Sequence, residues 1–370
     1  MNPKTGDDQL MSVEEQEVLD SISINKIMLP VGIGIIVVLT LMWRQFDLEM
    51  LATLTWSRTA TLWVIAACII ICLRHFAYMV RLRILTDGEF SWKKCFELIF
   101  IWEFSSAVTP TSVGGSAVAM FVLSQEKLAA GKIATIIFYT IIFDTFFFIL
   151  GLPVLLMIHG QTLITPGGGS GPALTTWFFI AYGIMIVYGS IFFYGIIINT
   201  RQVQRFLLWL CEFKWLRRFK GQAFQMTEDM VLTAKEIRHK PISYHLGGFL
   251  STAAAWSFRF ITVMCLMLAF VPSLSNNFNI GEQFLIFGRL LVMYVVLALS
   301  PTPGGAGIAE GAFGPFLNDF IPVAGIALII ALLWRVLTYY SYLIAGVIVI
   351  PNWIRGVLNR RKKRKAAKEE

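Results

Sequence analysis

The chain has 370 residues, of which 56% are hydrophobic and only 15% charged, with a mean hydropathy of +0.69. Soluble domains carry about 25% charged residues, so this composition excludes an ordinary soluble enzyme and indicates an all-α polytopic membrane protein. The formal charge of +8 does not indicate nucleic acid, because its densest block, Arg360 to Lys365, follows an apolar run and reads as a tail facing anionic headgroups.

Residues 1–25 are polar and acidic and read as a disordered cytoplasmic tail. No cleavable signal peptide is expected, because the first apolar run comes late and lacks an Ala-x-Ala exit. A hydrocarbon core of about 30 Å needs about 20 apolar residues per helix. The runs 27–43, 60–80, 133–158, 175–199, 243–271 and 322–350 qualify and predict about six full spans. Together they delimit a transmembrane domain over 26–353, followed by a basic cytoplasmic tail over 354–370.

Two further apolar segments, 96–124 and 281–317, are interrupted by glycine and proline: Pro110, Gly114 and Gly115 in the first, Pro301, Pro303, Gly304 and Gly305 in the second. Backbone that leaves the helix at membrane depth is tolerated only where protein or a wet cavity covers it. Such breaks at corresponding positions of two halves point to a transporter's binding site. We read each segment as a re-entrant hairpin of two half-helices.

The charges agree with that reading. Of the 31 Lys and Arg residues, only Arg44 and Arg58 fall outside, and Arg74, Arg259, Arg289 and Arg335 lie within spans; the others lie inside. The positive-inside rule demands such a bias. A single crossing by the first broken segment, 96–124, would turn the basic connector 200–240 outward. The expected location is therefore a cell (inner) membrane, with both termini cytoplasmic. The units 60–158 and 243–350 then become helix–hairpin–helix elements of opposite orientation, an inverted repeat. The connector carries Val203, Phe206, Leu207, Leu210 and Phe213 at helical spacing among basic residues, and predicts an amphipathic interfacial helix.

Ionisable residues at membrane depth are costly and commonly face a bundle interior with a partner. Glu103, Asp144, Arg259, Arg289, Glu310 and Arg335 are expected to converge on one layer, either neutralising one another or lining a polar cavity for a charged headgroup. Arginine suits phosphate through its bidentate fork. Arg74 and His75 read instead as side chains snorkelling toward the inner interface. The remaining histidines lack zinc spacing, so neither metal nor cofactor is expected.

The stretch Pro301-Thr-Pro-Gly-Gly-Ala-Gly-Ile-Ala-Glu-Gly-Ala-Phe313 resembles the second-repeat signature of the lysylphosphatidylglycerol synthase transmembrane (flippase-like) family. Arg335-Val-Leu-Thr-Tyr-Tyr340 with Gly346 is similar to that family's last-helix motif, and Thr109 to Gly115 to its first hairpin. The resemblance implies a stand-alone member that moves a lipid or lipid-linked headgroup, with Gly304, Gly305, Glu310 and Arg335 at functional positions. The chain departs from the family pattern at Ser116, Ala117 and Ala119 and at Thr140 and Ile141, which implies a less charged first half-site.

The leading expectation is a lipid translocator that is not an enzyme. The alternatives are an ion-coupled exporter of a small solute and a membrane enzyme that modifies a lipid headgroup. Expected partners are membrane lipids with anionic headgroups; a homodimer and a separate lipid-modifying enzyme are both compatible with the chain.

Overall fold

The computed structural model describes residues 56–369 apart from 109–118, 121, 127, 129, 167–171, 213–219, 299, 301, 303–304, 306–307 and 322. The acidic tail, the 27–43 run and the tip residues Pro110, Gly114, Gly115, Pro301, Pro303 and Gly304 lie outside the described residues. Most of those described are helical, and no strand occurs among them.

Helix α1 (Arg58–Leu85) starts at Ser57, whose hydroxyl accepts the Ala60 N–H, and stops where Asp87 and Gly88 both adopt positive φ. Helices α2 (Trp92–Val108), α3 (Ala130–His159) and α4 (Pro172–Phe193) follow, the last extended by a π turn at Tyr194–Ile198. Helices α5 (Thr200–Leu210) and α6 (Lys220–Arg238) form the connector. Helix α7 (Ile242–Phe270) opens after Pro241, and Pro272 begins the short α8 (Pro272–Asn276). Helix α9 (Ile280–Leu297) is capped by Asn279, and α10 (Ile308–Leu317) follows the second break. Helix α11 (Ala324–Arg335) runs through a π turn at Val336–Tyr340 into α12 (Ser341–Glu369).

Six of the described helical stretches are long and apolar enough to cross a membrane: Arg58–Leu85, Gly131–Leu163, Leu174–Ile198, Ile242–Phe270, Ile280–Leu297 and Gly325–Gly356. Five coincide with the expected spans. The sixth, α9, was expected as one arm of a hairpin, and its 18 residues give it about the length of a hydrocarbon core.

Depth within the bundle follows from the contacts. Helices α1 and α7 pair antiparallel along their whole length, from Trp56 against Phe270 to the Tyr244 hydroxyl on the Leu85 carbonyl. Helix α3 runs alongside α7 in the same direction, with Phe143 against Gly248 and Phe148 against Trp256. Helix α9 descends antiparallel to α3: Gly288 meets Leu163 and Leu155, Leu291 meets Gly151, and Tyr294 stacks on Phe148 at 5.5 Å. Its last residue, Leu297, therefore comes level with Asp144, near the middle of α3.

Helix α2 behaves similarly from the opposite end. It starts with Trp92 stacked on Phe76 and ends at Val108, beyond the Glu103–Arg74 contact that marks the middle of α1. Residues on either side of the first break come together: Lys94 lies 2.6 Å from Glu126, which also accepts from the Trp353 indole at 2.9 Å. Across the second, Arg289 of α9 lies 2.5 Å from Asp319, just past α10.

Candidate functional site

Helix α1 presents Arg74, Tyr78 and Arg81 at i, i+4 and i+7, hence on one face. That face is turned into the bundle. Arg74 is 0% exposed, which corrects the expectation that it snorkels: its Nη2 lies 2.5 Å from Glu103, and its Nη1 donates to the Tyr342 hydroxyl at 3.2 Å. The cost of a buried guanidinium is offset by this carboxylate and by the rings of Tyr78 and Tyr342, 5.0 and 5.3 Å away.

Arg81 lies near the end of α1 but reaches back to Asp144, at 2.7 Å. The same Asp144 oxygen accepts from the Trp256 indole at 3.0 Å. Tyr78 sits between the two guanidinium groups, with Arg81 at 4.6 Å from its ring.

Arg259, one turn beyond Trp256 on α7, is half-buried and lies over the rings of Trp256 (5.3 Å) and Tyr294 (5.2 Å). Among the described residues it has no ion pair and no hydrogen bond, and its buried Nε is without an acceptor. Glu103 lies within its coulombic range but is engaged by Arg74. Three cations (Arg74, Arg81 and Arg259) thus share one layer with two carboxylates (Glu103 and Asp144).

A second pair lies at the last span. Arg335 Nε donates to Glu310 Oε1 at 2.7 Å, with side-chain exposures of 3% and 4%. The Arg335 guanidinium also stands 4.1 Å from the Tyr339 ring, within the π turn. Tyr339 donates to the Ala107 carbonyl at 3.0 Å. One turn of the last span thus touches the end of α2 through Tyr339 and the start of α10 through Arg335. π turns are rare and concentrate at functional positions.

The second break has defined geometry at two points. Gly305 has φ +70 and donates to the Thr302 carbonyl at 3.0 Å, closing a tight turn at a backbone conformation that favours glycine. The Ser300 hydroxyl accepts the Thr302 N–H at 3.3 Å, covering a backbone donor that the break sets free.

Arg289 stands apart from the central layer. It is 2% exposed and donates to Asp319, to the Thr162 carbonyl (3.0 and 3.2 Å) and to the Phe316 carbonyl (3.4 Å). Thr162 belongs to the turn at the far end of α3, so this cation binds the end of the bundle. The expectation of six charges in one layer is corrected accordingly: Glu103, Asp144 and Arg259 share it, Glu310 and Arg335 form a separate pair, and Arg289 lies elsewhere. Arg74, expected at the interface, completes the central layer together with Arg81, Trp256, Tyr294 and Tyr342, which nothing in the sequence analysis singles out. The available signal was the shared face of Arg74, Tyr78 and Arg81.

The sequence match to the lysylphosphatidylglycerol synthase TM region runs over residues 27–346, nearly the whole of this bundle. The chain belongs to that family. A "UPF0104 membrane protein" of Archaeoglobus fulgidus is 25% identical over 312 residues, covering 80% of this chain and 89% of the relative. No solved structure matches significantly. Family membership and the apolar helices together make this a multi-pass membrane protein. Gly346, part of the resemblance noted above, also has a local reason: a Cβ there would overlap the Phe104 ring, so glycine lets α12 lie directly on α2.

Proposed function

We propose that this family member moves a lipid with an anionic headgroup across the cell (inner) membrane, through the middle of the bundle and without ATP hydrolysis. The observation that carries the reading is Arg259, a half-buried cation level with the middle of the bundle that makes no ion pair among the described residues. A lone guanidinium at that depth is costly, and a phosphate can supply the missing bidentate acceptor.

In the same proposal the two broken segments are re-entrant hairpins that open to opposite faces, and the surrounding units form an inverted repeat. Support for the first hairpin comes from the Lys94–Glu126 contact, which returns the chain to the end where α2 began. Support for the second comes from α9 ending level with Asp144 and from Asp319 returning to Arg289. In this reading Tyr339 holds the last described turn of α2 and Arg335 the first turn of α10 against the last span, and the termini face the cytoplasm.

The test is transfer of labelled anionic phospholipid in vesicles reconstituted with the full chain. Losing a charged hydrogen bond of about 1.5–3 kcal/mol slows transfer about 10- to 100-fold, so R259Q is expected to fall by that factor and R259K by less. A folded R259Q that transfers at the wild-type rate sinks the reading.

A further inference from the structure

Tyr294 lies on α9, one turn before the second break, and its ring already has a task at the centre of the bundle. It stacks on Phe148 at 5.5 Å, meets Trp256 edge-on at 4.6 Å, and carries the Arg259 guanidinium over its face at 5.2 Å. That packing leaves the hydroxyl of the same residue without a role. The group lies within coulombic range of Arg259, Glu103, Asp144 and Arg74, yet makes no hydrogen bond among the described residues. A phenol at this depth ordinarily finds a partner, because hydrocarbon offers no water in its place.

Three further positions of the central layer are unfilled among the described residues. Arg259 Nε is buried without an acceptor. Arg74 and Arg81 each occupy one carboxylate oxygen, Glu103 Oε2 and Asp144 Oδ1, and the Trp256 indole shares the latter. The other two oxygens, Glu103 Oε1 and Asp144 Oδ2, accept nothing. The carboxylate side chains keep exposures of 21% and 30%, against 0% and 8% for the arginines that hold them. The arginines are therefore sealed in, whereas the carboxylates border open space.

The charges of the layer discriminate between anions. Three guanidinium groups against two carboxylates leave one positive charge without a counterion. A singly charged phosphodiester neutralises it. A phosphate monoester or inorganic phosphate is doubly charged above its second pKa of about 6. Its extra charge meets two carboxylates that already lack donors, and like charges in a poorly screened site repel strongly.

We propose that Tyr294 is a second headgroup ligand: its ring holds Arg259 in place and its hydroxyl donates to an unesterified oxygen of a singly charged phosphodiester, while Glu103 and Asp144 exclude doubly charged phosphates. The bound phosphodiester joins α7, through Arg259, to α9 at the turn that leads to the second break. That the ligand is a transported lipid rests on the translocation reading above, whereas the binding itself stands apart from it.

The experiment has two arms. In the first, the full chain in an uncharged detergent is titrated at about pH 8 with dihexanoyl phosphatidylmethanol, dihexanoyl phosphatidic acid and inorganic phosphate. Binding is followed by the rise in unfolding midpoint. The phosphodiester is expected to bind at least about 10-fold more tightly than the other two, and Y294F to weaken it about 10-fold or more, as loss of a hydrogen bond to a charged acceptor does. Without ligand, Y294F is expected to unfold at the wild-type midpoint, because the hydroxyl bonds nothing in the protein. Unchanged phosphodiester affinity in Y294F, or a Y294F chain destabilised without ligand, overturns the role of Tyr294. Equal or tighter binding of phosphatidic acid or inorganic phosphate overturns the selection by charge.

In the second arm, transfer of labelled anionic phospholipid is measured in reconstituted vesicles. Y294F is expected to slow it about 10-fold or more. Wild-type transfer in Y294F, with transfer lost in R259Q, overturns this inference and leaves the translocation reading intact. A wild-type chain that binds the phosphodiester through Tyr294 but moves no lipid overturns the translocation reading and leaves the binding site standing.

Discussion

Tyr339 donates its phenolic hydrogen to the Ala107 carbonyl at 3.0 Å, joining positions 232 residues apart. The acceptor lies in the last described turn of α2. In a hydrocarbon slab that carbonyl has no water to turn to. The phenol of the last span therefore holds the last described turn of α2.

Removing that hydroxyl takes this hydrogen bond away. Y339F is expected to lose about 0.5–1.5 kcal/mol of stability, read as a lower unfolding midpoint in a denaturing-detergent titration. Y340F, one residue on, carries no such bond among the described residues and serves as the control.

Arg335 and Glu310 are both nearly inaccessible, so breaking the pair from one side leaves a buried charge. E310A is expected to cost about 3–5 kcal/mol, whereas the double change E310A/R335M recovers most of it, because a buried ion pair replaced by apolar groups is commonly near neutral. A double-mutant cycle on unfolding free energy checks this.

Gly346 and Phe104 occupy one site between α12 and α2. G346A forces its new methyl into the Phe104 ring and is expected to cost about 1–3 kcal/mol. Adding F104L makes room and restores part of the loss. If G346A is as stable as wild type, the two helices are not packed at this distance.

At the Leu85 end, Lys240 bonds Asp87 at 2.9 Å and Glu236 at 3.2 Å. The hydrogen bond to Asp87 raises the Lys240 ammonium above its ordinary value of 10.5. A group whose folded pKa is raised stabilises fully below the unfolded value, and the contribution is lost as pH rises through the folded one. Melting temperatures from about pH 10 upward are expected to fall in the wild type and to fall less in K240M.

Much of this fold was legible in the chain because membrane helices announce themselves by length and apolarity. The runs that became α1, α3, α4, α7 and α11–α12 are each continuous, and the breaks around Pro110 and Pro301 are visible as interruptions. Side-chain direction was less legible. Arg74 was read by its distance from the inner interface, which favours snorkelling, whereas its partners come from α2 and α12, remote in sequence. Arg289 was misplaced for a different reason: it lies at the middle of its helix, but α9 itself ends level with the middle of α3, so its own middle lies near the bundle's edge. Depth is set by a helix's neighbours, not by position along its own segment.

The most direct measurement is sidedness labelling across the two breaks. Single cysteines at Ser124 and Asn318, in a background whose five native cysteines are replaced, are exposed to an impermeant thiol reagent from each side of sealed vesicles. The account predicts that Ser124→Cys reacts only from the cytoplasmic side and Asn318→Cys only from the opposite side. Labelling of both from one side contradicts it.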